Sequence, residues 1–343
     1  MTKIYDWKNE IKEDELNSVI DTLKDNGLVI LPTETVYGLA ASAFSNDACK
    51  NIFIAKGRAQ DNPLIVHVSS KKMIYDIVEK PTEIEEKLID SFMPGPFTLI
   101  LKKKPCICDT VTCNSETVGI RMPIHPIIHK IIDQSNIPLA APSANISGKP
   151  SGTCVDDIKE EFNNKVDLIV DGGKCNIGIE STVVKVIDNV PVILRPGFIT
   201  EDDIKKVIGN VKLSDKLFTK VTENEKVESP GMKYRHYAPK TKCILVEQNN
   251  QQVNKINKLI SDNSNCCVLG FSEDADLIHI SKDKFICLGS KNNLQEISSN
   301  IFTCLRKVDT LNCSFAIIEG LEKKNLGLSI MNRLVRACEN NVI

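Results

Sequence analysis

Residues 28–68 read LVILPTETVYGLAASAFSNDACKNIFIAKGRAQDNPLIVHV. An apolar run, Leu28–Leu31, breaks at Pro32, and three short polar or acidic side chains follow, Thr33, Glu34 and Thr35, before Tyr37 and Gly38. Ser45 or Asn46 can cap a helix that buries Cys49, Ile52 and Phe53, with Gly57 as its stop. The basic turn Lys56-Gly57-Arg58 then leads through Asn62-Pro63 into a second apolar run that carries His67. Strand, polar turn, helix, basic turn, strand is a layout that puts reactive side chains at strand ends, where α/β proteins bind ligands. From pattern alone it is equally an ordinary βαβ unit with polar loops.

On the N-terminal side, Leu16, Val19, Ile20 and Leu23 fall on one face of a helix over Glu13–Asn26, with Gly27 where a left-handed residue is wanted. On the C-terminal side, helical segments are expected around Ile74–Val78 and Ile84–Phe92. Pro94-Gly95-Pro96 forces a turn before the strand Phe97–Leu101. Val118–Met122, Pro138–Ala141, Leu168–Val170, Thr182–Ile187 and Val192–Leu194 read as further strands, with a short helix near Ile127–Ile132. Many strands with few helices predict a curved, mixed, strand-rich sheet over residues 1–210. Periodicity fades over 211–241, read as a linker. Strand and helix then alternate over 242–343 (Cys243–Val246, Val253–Ile260, Cys267–Leu269, Leu277–Ile280, Phe285–Leu288, Leu294–Val308, Phe315–Ile318 and Leu328–Ala337), as in a smaller parallel, Rossmann-like α/β domain.

The 343 residues, 42% hydrophobic and 26% charged, supply ample core for two domains. A formal net charge of −2 argues against a protein that coats nucleic acid. No apolar run reaches membrane-spanning length and the N-terminus is too polar for a signal peptide, so a cytoplasmic location away from membranes is expected. The 13 cysteines show no Cys-x-x-Cys spacing and read as reduced, small buried hydrophobes.

Standard phosphate and hydrolase motifs are absent: Gly172-Gly173-Lys174 lacks the rest of a P-loop, and neither Gly-x-Gly-x-x-Gly nor Gly-x-Ser-x-Gly occurs. His125 and His129 are four apart but flank Pro126, and read as ordinary surface histidines rather than metal ligands. What remains is a dispersed polyanion site: Lys56, Arg58, Arg121 and Arg195 beside Pro/Gly turns, with hydroxyls at strand ends, Thr35, Thr117, Ser143, Ser151 and Ser181. Taken singly each cation is a surface residue; jointly they favour a site.

LPTETVYGLAASA, AKGRAQDNPLIVHV, PGPFTLIL, VGIRMP, APSANISGKPSGT, ESTVV and ILRPG occur in this order. They resemble the YrdC-like threonylcarbamoyl-AMP synthases, whose signature Lys56-x-Arg58 with Ser143-x-Asn145 matches. SPGMKYRHYAP and the α/β tail look like that family's long, two-domain form. The resemblance implies condensation of L-threonine, bicarbonate (or CO2) and ATP to threonylcarbamoyl-AMP and pyrophosphate, with Mg2+ travelling with ATP. The product would pass to a tRNA threonylcarbamoyl-transfer complex, with no requirement that this chain contact tRNA.

Carried over motif by motif, threonine would meet Thr35, His67, Arg121, the backbone of Ala141, and Ser181. ATP would meet Lys56, Arg58, Asn62, Thr117, Ser143, Ser151, Arg195 and Tyr234. The signature residues Lys56, Arg58, Ser143 and Asn145 would carry the chemistry, Asn145 holding either the loop or a metal-bound phosphate. Tyr37 is either an aromatic wall under threonine or a core residue, and His67 either orients substrate or is a satisfied core histidine. Lys233, Tyr234, Arg235, His236 and Tyr237 would form an active-site lid. Two alternatives remain on sequence grounds: a carbamoyl-transfer protein using the same fold, and an RNA-binding module whose four cations line a phosphate groove.

Overall fold

The computed structural model describes residues 1–218 and 235–343. The chain forms two compact units. The first comprises Met1–Ser147, Gly152–Asn176 and the described part of Glu180–Lys233; the second comprises Gly148–Ser151, Ile177–Ile179 and the described part of Tyr234–Ile343.

The first unit opens with β1 (Lys3–Asp6), α1 (Glu13–Lys24), β2 (Val29–Leu31), β3 (Gly38–Ser42), α2 (Asn46–Lys56) and β4 (Ile65–His67). Next come α3 (Lys71–Ile77), α4 (Glu83–Phe92), β5 (Phe97–Lys102), α5 (Asp109–Thr112), β6 (Thr117–Arg121), α6 (Pro126–Ser135) and β7 (Leu139–Ala140). It ends with α7 (Lys159–Phe162), β8 (Leu168–Asp171), β9 (Thr182–Ile187), β10 (Val190–Arg195), α8 (Glu201–Ile208) and β11 (Lys212–Leu213). The stretch 211–241, read as a linker, thus begins with a strand paired to β10.

Eleven strands join in the order β1-β8-β2-β3-β7-β4-β6-β5-β9-β10-β11. Parallel pairs (β1/β8, β2/β8, β4/β6, β5/β9, β10/β11) are mixed with antiparallel ones (β2/β3, β3/β7, β4/β7, β5/β6, β9/β10). This is the mixed, strand-rich sheet expected. A buried core of aliphatic side chains from the sheet and from α1, α2, α4 and α6 holds it together.

Two local readings are corrected. The region after Leu31 is not a simple βαβ unit: Gly38–Ser42 is a strand, antiparallel to β2 in register Val29↔Ala40 and Leu31↔Gly38. Its sequence, Gly-Leu-Ala-Ala-Ser, has weak strand propensity, but every residue in it is buried. At Gly38 a Cβ would stand 3.3 Å from the Ala141 Cβ, so the hairpin's start is a close approach to the chain beyond β7. At the end of α1 the left-handed residue is Asn26 (φ 64), not Gly27. Gly27 N–H donates to Thr22 O and Asn26 N–H to Leu23 O, so the two residues share the capping that sequence gave to one.

α2 keeps the expected terminators. Ser45 Oγ accepts from Ala48 N–H, and Gly57 closes the helix in the left-handed region at φ 59. That stop fixes where Lys56, the last helical residue, sends its side chain.

The second unit contains β12 (Lys242–Val246), α9 (Gln252–Asp262), β13 (Cys266–Gly270), β14 (Phe285–Cys287), α10 (Leu294–Val308), β15 (Phe315–Glu319) and α11 (Leu326–Ala337). The strands form a wholly parallel sheet in the order β12-β15-β13-β14. Leu277–Ile280, read as a strand, is irregular instead: Asn257 on α9 clamps it by donating to Leu277 O and accepting from His279 N–H, and Ile278 is buried. Among the described residues no helix is long and apolar enough to cross a membrane.

Candidate active site

The turn between β2 and β3 builds the first part of the site. Thr33 Oγ1 donates to Val36 O (2.6 Å) and accepts from Thr35 N–H and Val36 N–H, locking a tight polar turn. Thr33, Glu34 and Thr35 are all buried. Arg121, the last residue of β6, reaches this turn: Nη1 donates to Thr35 Oγ1 at 2.9 Å and Nη2 to Glu34 Oε1 at 2.5 Å. Four strand steps separate β2 from β6, roughly 19 Å in a flat sheet. An arginine alone cannot span that distance, so the turn of residues 32–37 must itself reach across the intervening strand ends to meet Arg121.

His67, the last residue of β4, stands beside Arg121 in parallel register. It is buried, and burial together with the Arg121 charge pushes its pKa down to about 3, so the imidazole is neutral at pH 7. Its Nδ1 is buried without a hydrogen-bond partner. Ser181, just ahead of β9, shares a 2.7 Å hydrogen bond with Thr98 on β5. Arg195, the last residue of β10, donates from Nε (3.2 Å) and Nη2 (3.0 Å) to Ser181 O, and from Nη2 to Ser181 Oγ (3.2 Å). The Ala141 N–H is taken by Ile65 O at 2.9 Å, so its carbonyl is the backbone group left for a ligand.

Lys56 gathers a second group of residues. Its Nζ donates to Ser143 O and, at 2.6 Å, to Asn145 O, while Ser143 Oγ donates to Asn145 Oδ1 at 2.6 Å. Lys56 is 1% exposed. Burial, reinforced by Arg58, lowers its pKa well below the usual lysine value, against the pull of Glu161 and Glu180. Arg58 turns back on its own loop, donating to Asn62 O (3.1 Å) and Pro63 O (3.0 Å). Asn62 is buried with its Oδ1 unpartnered. Thr117 starts β6, at the opposite end from Arg121, and its hydroxyl meets Ser115 Oγ at 3.1 Å.

The structure therefore joins Thr35 to Arg121, Ser181 to Arg195, and Lys56 to Ser143 and Asn145, and sets His67 next to Arg121. It does not tie Arg58, Asn62 or Thr117 directly to these groups through the hydrogen bonds described above. Ser151 belongs to the second unit, and Tyr234 and Lys233 lie outside the described residues. Of the remaining lid residues, Tyr237 packs its ring on Phe302 (5.1 Å) and under Arg333 (5.9 Å), all within the second unit. Tyr37 is a core residue: it is fully buried, and its hydroxyl donates to Gly173 O (2.7 Å) and accepts from Gly172 N–H (3.1 Å). His125 is a half-buried helix cap whose ring accepts from Ile127 N–H, and burial lowers its pKa, so it is not the surface residue expected. Sequence reading assigned no role to Glu34 or Thr98. Glu34 stands inside the quoted motif, and its pairing with Arg121 spans 87 positions.

Comparison with known proteins decides the family. A family profile described as "Telomere recombination" matches residues 21–197, and one described as "Threonylcarbamoyl-AMP synthase, C-terminal domain" matches 199–338. The threonylcarbamoyl-AMP synthase of Pyrococcus abyssi is 40% identical, over 100% of this chain and 99% of its own. The chain belongs to the threonylcarbamoyl-AMP synthase family. The Bacillus subtilis enzyme of that name is 40% identical, over 94% of this chain and 92% of its own. The crystal structure of P. abyssi Sua5 complexed with L-threonine superposes with a TM-score of 0.92 at 38% identity, covering 100% of this chain and 99% of that one. Escherichia coli YciO, at 20% identity and a TM-score of 0.52, shares the fold of part of the chain. As a member of the threonylcarbamoyl-AMP synthase family, this chain is an enzyme of the nucleotidyltransferase kind.

Proposed function

We propose that this chain condenses L-threonine, bicarbonate (or CO2) and ATP into threonylcarbamoyl-AMP and pyrophosphate. The observation that carries the reading is Arg121: a buried guanidinium, bonded to Thr35, beside neutral His67, with its Nε unpartnered. An amino-acid carboxylate suits that opening, because arginine is always charged and donates along two edges. Thr35, His67, the Ala141 carbonyl and Ser181 complete the threonine side. On the nucleotide side the proposal rests on Lys56, Arg58, Asn62, Thr117, Ser143 and Arg195 of the first unit.

The N-carboxylated threonine is a weak nucleophile that attacks the α-phosphate in line, expelling pyrophosphate. Such a step needs positioning and charge neutralisation more than covalent help from the protein. Mg2+ supplies further neutralisation when it arrives with the triphosphate. Among the described residues no group of three or more His, Cys, Asp or Glu side chains is arranged to hold a metal ion. The neutral oxygens of Ser143 and Asn145 suit a cation held by phosphate and water.

The product would pass to a tRNA threonylcarbamoyl-transfer complex. A reducing, cytoplasmic setting is supported by the thirteen cysteines, all free. The test is pyrophosphate release from ATP with threonine and bicarbonate, omitting each in turn. We expect release only with all three, and a large loss in Arg58→Ala and Ser143→Ala at unchanged thermal stability. Release independent of threonine would overturn the reading.

A further inference from the structure

Glu34 is buried against Arg121 with half of its carboxylate unused. Oε1 accepts from Arg121 Nη2. Oε2 is buried with no hydrogen-bond partner, and so is Arg121 Nε. A buried carboxylate oxygen and a buried N–H left open on the same ion pair are costly unless a ligand completes both. An α-amino acid can do so. Its carboxylate takes the Nε–H, and its ammonium, one carbon away, comes within reach of the carboxylate that shares the guanidinium.

We propose that Glu34 binds threonine's α-ammonium and takes a proton from it, freeing the amine that adds to bicarbonate; this rests on the reaction proposed above. The ammonium gives one proton to Oε2, leaving a neutral amine and a neutral Glu34 carboxylic acid. The amine nitrogen then bonds to the bicarbonate carbon, a C–O bond breaks, and one amine hydrogen leaves with the hydroxide as water. The result is the N-carboxylate of threonine. The proton stays on Glu34 until the pocket reopens to water. Neutralising Glu34 matters because the carbamate that forms beside it is an anion, and two carboxylates facing each other at close range repel strongly.

The titratable groups facing Glu34 leave it free for this part. Arg121 on β6 is always charged. His125, ahead of α6, is held below its ordinary value by burial, so it is mainly neutral at pH 7. Cys175, after β8, has its thiol pushed up by burial. Of the neutral imidazoles, His125 already accepts from Ile127 N–H at Nδ1, and His67, beside Arg121, resists protonation with its pKa pushed down to about 3, which leaves Glu34 Oε2 as the open acceptor.

The test has two arms, run once the wild-type chain is seen to make threonylcarbamoyl-AMP; without that product the reaction itself, not Glu34, is refuted. In the first, Glu34→Gln is compared with wild type from pH 7 to 9.5, with Glu34→Asp as the conservative rescue and ATP binding without threonine as the check on the fold. At pH 7 kcat should fall by about 10²–10⁴. The deficit should shrink as alkali deprotonates the amine unaided, and the Asp variant should recover part of the loss. An equal loss at every pH means that Glu34 only braces Arg121, and overturns the proposal. The second arm needs no variant: 2,3-dihydroxybutyrate, which has a hydroxyl in place of threonine's ammonium, should bind the wild-type chain at least about tenfold more weakly than threonine. Equal affinity overturns the proposal.

Discussion

Each unit of the molecule sets a cation against a buried carboxylate, and the two pairs are finished differently. In the first, Arg121 and Glu34 are 5% and 7% exposed, and each retains a buried atom with no partner. In the second, Glu319 at the end of β15 is fully buried, but its cation, Lys291, is 25% exposed. Oε2 accepts from Phe271 N–H at 3.0 Å, while Oε1 has an ion-pair contact to Lys291 Nζ at 2.7 Å but no hydrogen bond, and Lys291 also pairs with Asp274. A buried charge therefore does not mark a binding site by itself. The pair with both partners sealed from water is the one that asks for a ligand, while the pair whose lysine reaches solvent and a second carboxylate fastens loops and strands to each other.

The largest effect should come from breaking the open pair. Arg121→Met leaves Glu34 buried without its cation and should destabilise the first unit by about 3–5 kcal/mol, besides abolishing threonine-dependent turnover. Adding Glu34→Leu should return most of the stability and none of the activity. Urea titrations followed by Trp7 fluorescence measure this, because Trp7 is the only tryptophan and is buried in the first unit. A double variant as unstable as the single one would mean that the pair is structural, and the contrast between the two units would fail. Lys291→Met with Glu319→Leu, the matching change in the second unit, should leave the Trp7 transition unmoved.

The next effect is one of opposite signs with pH. His67 is depressed by burial and by Arg121 to about 3. Its contribution to stability is present in full above the ordinary His value and is lost as pH falls from there towards about 3, since the unfolded chain takes up the proton first. Glu319 is raised to about 7 by burial and by its hydrogen bond to Asp274, against the pull of Lys291. Its contribution is present in full below the ordinary Glu value and is lost as pH rises through about 7. Asp274, lowered chiefly by the same hydrogen bond, offsets part of that.

Between pH 7.5 and pH 5 the first unit should therefore lose about 2 kcal/mol through His67, while the second gains about 1–2 kcal/mol through Glu319. Trp7 fluorescence follows the first, and amide hydrogen exchange in β12, β13 and β15 the second. His67→Gln and Glu319→Gln isolate the two contributions. The same sign in both units would refute the assignment.

How far the sequence foretold this follows from how local each feature is. Elements defined by their own periodicity and terminators were legible, such as α1, α2 with Ser45 and Gly57, and the parallel second unit. β3 was not, because Gly-Leu-Ala-Ala-Ser is a strand only where its neighbours pack closely enough to need small side chains. Leu277–Ile280 failed in the opposite sense: strong strand formers serve as an irregular cover clamped by Asn257. The site shows the same division. Its motif residues could be named from sequence, but the pairings Arg121 to Glu34, Lys56 to Ser143 and Thr98 to Ser181 span 83–87 positions and depend on the strand order. Glu34 was visible in the motif and mute until Arg121 came to it.

The smallest effect tests whether the polar contacts around the open pair are tuned for a ligand or for the fold. Thr98→Val keeps the shape of a fully buried side chain and removes the partner of Ser181 Oγ. Arg195 Nη2 still reaches that oxygen, so Ser181 keeps one bond and stability should fall by only about 1 kcal/mol. The hydroxyl of Ser181 is then free to rotate, and if it serves threonine the KM for threonine should rise severalfold with the KM for ATP unchanged. A variant that loses stability but holds its threonine KM would place Thr98 and Ser181 with Lys291 and Glu319, among the polar groups that this chain buries to hold itself together.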